Sequence, residues 1–140
     1  MIDHITVTVR RLATSIDFYK VALKPLGYVE KVRHGRTIGL GMDDGTPRAD
    51  FYISPTTDTS ATTETESSTP LTHIAFRARS QEEVQAFYEA ALAAGGRDNG
   101  APGFRDYHPG YYAAFVLDPD GNNVEAVVEW SQPETPQRPR

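Results

Sequence analysis

Residues 4–27 read HITVTVRRLATSIDFYKVALKPLG, and residues 73–96 read HIAFRARSQEEVQAFYEAALAAGG. Aligned without a gap, they match at His4/His73, Ile5/Ile74, Arg10/Arg79, Phe18-Tyr19/Phe87-Tyr88, Ala22-Leu23/Ala91-Leu92 and Gly27/Gly96, at a constant offset of 69 residues. A repeat on this scale is one supersecondary unit used twice. Both copies place a histidine at the head of the first strand. Duplication would bring those imidazoles to equivalent places about a pseudo-two-fold axis.

Each copy changes period in the same way. Asp3 to Val9 alternates, with Ile5, Val7 and Val9 on one face and His4, Thr6 and Thr8 on the other, the period of a half-buried strand. Leu12, Ile16, Tyr19 and Leu23 then fall at helical spacing, and Pro25 with Gly27 ends that helix. Tyr28 to Val32, Thr37 to Gly41 and Ala49 to Ile53 read as three further strands. In the second copy, His73 to Ala78 is a strand, and Ser80 with Glu83 forms a capping box for a helix running to about Ala94. Tyr111 to Leu117 and Val124 to Trp130 are strands, separated by the turn signal Asp118-Pro119-Asp120-Gly121.

The expected fold is α+β: two tandem βαβββ modules forming a curved, half-barrel-like mixed sheet with helices on its outer face. Residues 1–130 make one domain. Module one is 1–55, module two is 71–130, and residues 56–70, rich in Thr, Ser and Glu, are a linker. Residues 131–140 are a flexible tail. Neither half reaches the roughly 70–80 residues at which a single core is comfortable, so the modules should share one.

Composition narrows the function classes. The 140 residues carry 14 Lys and Arg against 19 Asp and Glu, for a net charge of −5, which disfavours a nucleic-acid partner. Cysteine is absent, so disulfides and thiolate metal sites are excluded. No signal peptide and no apolar run of about 20 residues is visible, so the expectation is a cytoplasmic protein with no membrane partner.

Alternation assigns the chemistry to a face. His4 and His73 should point away from the helices. In the last strand Val124, Ala126 and Val128 take the helix side, leaving Glu125 and Glu129 on the open side. In the fourth strand Phe51 and Ile53 look helix-side, leaving Asp50 and Tyr52 with the histidines. Two imidazoles and a carboxylate on one concave face suit a divalent cation such as Fe, Mn, Ni or Zn, and leave open positions for substrate.

The paired modules, the start Ile2-Asp3-His4-Ile5, the internal Thr72-His73-Ile74-Ala75-Phe76, and Asp118-Pro119-Asp120-Gly121-Asn122-Asn123-Val124-Glu125 resemble the vicinal oxygen chelate superfamily. That superfamily includes glyoxalase I, extradiol dioxygenases, fosfomycin-inactivating transferases and bleomycin-binding proteins. The resemblance is nearest to the small bacterial glyoxalase-like proteins and covers about residues 1–130. It implies metal ligands at His4, His73 and Glu125, with a fourth at Asp50 or Phe51. It also implies a homodimer. Glyoxalase I has a long carboxylate or amide at the fourth position, so this chain fits a three-ligand site better.

The resemblance implies a metal-dependent enzyme acting on a small oxygen-rich substrate by isomerase, lyase or dioxygenase chemistry, with Glu125, or else Asp50, as the proton-transfer residue when released from the metal. The alternative is a metal-free binding protein of the same fold that sequesters a small molecule such as an antibiotic. The stretch from Pro102 to Tyr112 is rich in aromatics and glycine. Read as a pocket wall, it supplies Tyr107, His108 and Tyr112, with Arg105 to meet an anionic group and Tyr52 from the first module. Read blandly, it is a packed loop closing one end of the sheet. His34 reads as a solvent-exposed turn residue, and Trp130 as a core cap or an interface residue.

Overall fold

The computed structural model describes residues 1–56 and 70–129. Module one comprises β1 (Ile5–Val9), α1 (Leu12–Ala22), β2 (Tyr28–His34), β3 (Thr37–Met42) and β4 (Phe51–Pro55), with a 3₁₀ turn at Lys24–Leu26. Module two comprises β5 (His73–Arg77), α2 (Gln81–Ala93), β6 (Arg97–Phe104), β7 (Tyr112–Leu117) and β8 (Asn123–Val128). Each module makes a mixed four-stranded sheet, ordered β1-β4-β3-β2 and β5-β8-β7-β6. In each, the first and last strands run parallel. The expected tandem βαβββ architecture is therefore observed. The linker and the tail lie largely outside the described residues, as does Trp130.

The alternation works as expected. Val7, Val9, Phe51, Ile53, Phe76, Val124 and Ala126 all join one buried cluster with Phe18, Tyr19, Val84 and Phe87 of the helices. Phe76 of β5 stands edge-on to Phe51 of β4 at 5.2 Å and to Tyr28 of β2 at 5.4 Å. Helices α1 and α2 pack on each other. Both modules thus turn their apolar faces to one shared core, as the small size of each half requires. The open face of each sheet is the side away from that core.

Local chemistry sets the elements. Ser80 Oγ accepts from the Glu83 N–H at 3.1 Å, while Glu83 reaches back to the Arg79 N–H at 2.8 Å, closing the capping box on α2. In the Asp118 turn, Asp118 accepts from the backbone N–H of Asp120 and of Asn122, and Gly121 sits at φ 94. The other carboxylate oxygen accepts from the Tyr19 hydroxyl at 2.5 Å, and Asp120 accepts from the Arg10 N–H at 2.8 Å. The turn of module two is thereby clamped to α1 and its approach in module one.

One strand is not foreshadowed by periodicity. Strand β6 contains Gly100, Pro102 and Gly103 and pairs with β7 through two register shifts. It is an edge strand, and Pro102 falls in the gap between the pairs Gly100↔Phe115 and Gly103↔Ala113. A proline is tolerated in a sheet only at such an edge or bulge. Among the described residues no helix is long and apolar enough to cross a membrane.

Candidate functional site

Glu125 projects from β8 to the open face of the second sheet, between the core residues Val124 and Ala126. Its side chain is nonetheless only 3% exposed. Tyr111 and His73 cover it. The Tyr111 hydroxyl donates a very short hydrogen bond to Oε1. His73 Nε2 lies 3.1 Å from Oε2. Burial first, then the bond to Glu125 and its charge, hold the Tyr111 phenol above its ordinary pKa and so protonated.

His73 is fixed from its other side. Its Nδ1 stands 3.0 Å from the carbonyl oxygen of Asn123. A carbonyl only accepts, so Nδ1 carries a proton. In a neutral imidazole Nε2 is then a bare acceptor, and it faces a carboxylate oxygen, another acceptor. That contact is favourable only when a proton or a metal cation sits between the two atoms. The pair is thus built around one positive charge.

Phe115 of β7 is the cross-strand partner of Glu125. The His73 ring stacks beside it, centroids 6.2 Å apart, and the Arg105 guanidinium lies 5.4 Å from its ring centre. Tyr107 and His108 pack their rings against Tyr111 at 5.2 and 5.7 Å. Tyr111, Tyr107, His108 and Arg105 therefore share the Glu125 side of the sheet. Tyr112 does not. It is buried on the helix side, where its hydroxyl accepts from Gln85 Nε2 at 2.9 Å and its ring meets Phe104. Neighbouring residues of a strand face opposite ways, so Tyr111 rather than Tyr112 reaches the carboxylate.

The first module carries a different set. His4 Nδ1 contacts Asp3 at 2.7 Å and the ring stands edge-on to Tyr52 at 5.4 Å. That contact with His4 leads the causes holding the Asp3 carboxyl below its ordinary range. Asp50 accepts from the Tyr28 hydroxyl at 3.0 Å. Strand register identifies the true counterparts. Thr6 pairs with Tyr52 and Ala75 with Glu125, and the repeat offset carries Thr6 onto Ala75. Tyr52 is therefore the counterpart of Glu125, a phenol where the second module has a carboxylate. Asp50 and Phe51, the positions weighed from sequence, match Asn123 and Val124, and Phe51 is core.

Of the four candidate metal ligands, one chain brings His73 and Glu125 together. It leaves His4 with Asp3 and Asp50 with Tyr28. Among the described residues no three His, Cys, Asp or Glu side chains converge where one cation could bind. Two residues of this face were not singled out from sequence: Phe115, and Tyr111 as the partner of Glu125. The signal was present. With Glu125 on the open face, its neighbour Phe115 must share that face, and so must Tyr111, four residues earlier in the same strand phase.

A family model described as Glyoxalase/Bleomycin resistance protein/Dioxygenase superfamily matches residues 1–126. Among solved structures, a glyoxalase/bleomycin resistance protein from Albidiferax ferrireducens T118 is 30% identical, covers 89% of this chain and 95% of its own, and superposes with a TM-score of 0.68. A glyoxalase/bleomycin resistance protein/dioxygenase family enzyme from Burkholderia phytofirmans PsJN is 21% identical over 90% of this chain and 96% of its own, with a TM-score of 0.64. A glyoxalase-related enzyme from Fulvimarina pelagi is 21% identical over 91% and 86%, also at 0.64. The last two likenesses concern the fold alone. No curated protein matches.

Proposed function

The chain belongs to the glyoxalase/bleomycin resistance protein/dioxygenase superfamily, and on that premise we propose that it is a glyoxalase-like, metal-dependent enzyme. It acts on a small oxygen-rich substrate at the open face of the second module. The observation that carries this reading is the His73–Glu125 contact, two acceptors 3.1 Å apart that need a shared positive charge. Donors each about 2.1 Å from a cation and at right angles stand about 3 Å apart, so the pair fits two adjacent positions around a metal.

The residues of one chain fit such a cation only in part, since His4 lies in the other module's half-site. A two-histidine, one-carboxylate set follows if the open face of β1 and β4 in a second copy closes over this one. The site is then composite, with His4 and Tyr52 from one protomer and His73 and Glu125 from the other. Two half-sites on two sheets of one chain are what a symmetric dimer needs to build two such sites.

A bound cation supplies Lewis acidity toward substrate oxygens. The residues do the rest. His73, held by the Asn123 carbonyl, presents Nε2 in one orientation. Glu125, largely shielded from water, would hold the cation with the oxygen facing His73 and serves as proton acceptor there only when that oxygen is released from the metal. Tyr111 keeps its own proton and steadies the charge on the other oxygen. These roles serve isomerase, lyase and dioxygenase chemistry alike. Calorimetric titration with Ni, Zn, Mn and Fe(II), in two buffers of different ionisation enthalpy, tests the proposal. Binding tighter than millimolar by at least one cation, with release of protons, is expected. Failure of all four removes it.

The aromatic wall of Tyr107, Tyr111 and Phe115 favours a second reading, a metal-free protein that sequesters a small molecule. It requires ligand affinity unchanged by a chelator and by His4→Ala.

A further inference from the structure

We propose that this face selects a flat small acid, with Arg105 taking the carboxylate and Phe115 the unsaturated middle. The inference rests on the reading of the Glu125 face as the working site and names the substrate class that face admits. Strand register sets the parts in one row across the second sheet: Ala75 on β5, Glu125 on β8, Phe115 on β7 and Gly100 on β6. Alanine and glycine leave both ends of that row bare, so the Phe115 ring forms its floor.

Arg105 fills the bare end over Gly100. Its guanidinium gives one N–H to the Ala101 carbonyl at 2.7 Å and one to the Phe104 carbonyl at 3.3 Å, and lies against Phe115. Two of five N–H donors are spent on fixing the plane of the group, and the others are left to bind. Gly100 permits this placement. A Cβ there would lie 3.0 Å from Phe115 Cδ2 and 3.2 Å from Arg105 NH2, and the backbone sits at φ +149. No ion pair ties Arg105 to an acid among the described residues.

The row therefore has a cation at one end and a carboxylate with a phenol at the other. Strands are about 4.8 Å apart, so β6 to β8 spans about 10 Å. That length suits a molecule with a carboxylate, a flat ring or conjugated segment, and an oxygen function at its far end. The guanidinium holds the carboxylate by charge-assisted, fork-like bonds. The flat segment lies along the part of the Phe115 ring left between the Arg105 guanidinium and the His73 imidazole. The distal oxygen arrives at the Tyr111 and His73 side chains that cover Glu125. A hydroxy- or oxo-acid anion with an unsaturated middle meets all three.

The test uses ligand-observed NMR titration of the full chain with 4-hydroxybenzoate, its neutral isostere 4-hydroxybenzamide, and acetate. The inference expects 4-hydroxybenzoate to bind with a Kd under about 10 mM, within the range open to so small a molecule. The amide and acetate should each bind about tenfold more weakly. Arg105→Met should abolish the preference for acid over amide, and Arg105→Lys should keep part of it. Equal binding of acid and amide to the wild-type protein overturns the inference, and that comparison needs no variant to fold. So does an unchanged preference in Arg105→Met, or no binding of 4-hydroxybenzoate at 10 mM. Success of the cation titration alongside any of these results leaves the metal reading standing and removes only the acid.

Discussion

Replacing Tyr19 with Phe removes one hydroxyl from the joint between the modules and leaves its ring. That ring is wholly buried and edge-on to Phe18 and Phe51, each at 5.0 Å. The lost bond runs 2.5 Å to Asp118, itself 2% exposed. A hydrogen bond to a buried charge is worth about 1.5–3 kcal/mol. Asp118 keeps three other donors, from Asp120 N–H, Asn122 N–H and the Asn122 amide, so the carboxylate is not orphaned. The cost should sit near the lower end, about 2 kcal/mol at pH 7.5.

The pH dependence sharpens this prediction. Burial first, then the Asp118 charge, raises the folded Tyr19 pKa far above its ordinary 10.0. In the unfolded chain the phenol ionises near pH 10 while the folded one stays protonated. Stability due to this tyrosine is thus complete below pH 10 and falls as pH rises above it. At pH 10.5 the unfolded wild type gains about 0.8 kcal/mol that the Phe variant cannot, so the gap between them shrinks by that amount. Urea denaturation of both proteins at the two pH values reads these quantities. A difference under about 0.5 kcal/mol at pH 7.5, or one that does not shrink at pH 10.5, refutes the reasoning.

Three further outcomes follow from the same geometry. Ser15 is wholly buried in α1 and its hydroxyl has no partner among the described residues, so Ser15→Ala should stabilise by about 1 kcal/mol, read as a rise in Tm of about 3 °C. A fall in Tm would mean the hydroxyl is satisfied in solution. Gly100→Ala puts a methyl group against Phe115 and the Arg105 guanidinium; it should cost about 1–2 kcal/mol in denaturation and erase the acid-over-amide preference. A cation held by imidazole and carboxylate competes with protons for them, so its affinity should fall as pH drops, and calorimetry from pH 8 to 5.5 checks this. A flat profile would place the cation elsewhere.

Much of the fold was legible because it is written twice. The repeat from His4 and from His73 fixed module order, and alternation placed Val7, Phe51, Phe76 and Ala126 in the core. Strand β6 escaped because Gly100, Pro102 and Gly103 suppress every strand signal; an irregular edge strand tolerates them where a central one would not. The site was legible in part. Glu125 and His73 follow from strand phase, but assigning Asp50 or Phe51 as the fourth ligand depended on a register no local pattern reveals, and a shift of one residue reverses every face. Tyr112, read from sequence as part of the pocket wall, lies on the helix side with its hydroxyl on Gln85. The separation of His4 from His73 was not legible at all, because alternation shows which face of each strand turns inward but not how the two open faces lie relative to each other.

The composite site is most directly tested by mixing variants. His4→Ala and Glu125→Gln chains should each bind the cation that suits the wild type far more weakly when alone. Unfolded and refolded together, they should form heterodimers in which one site has both native halves, restoring about a quarter of the wild-type sites at wild-type affinity. A mixture that binds no better than its components, or a His4→Ala chain that binds like the wild type, contradicts a site shared between two copies.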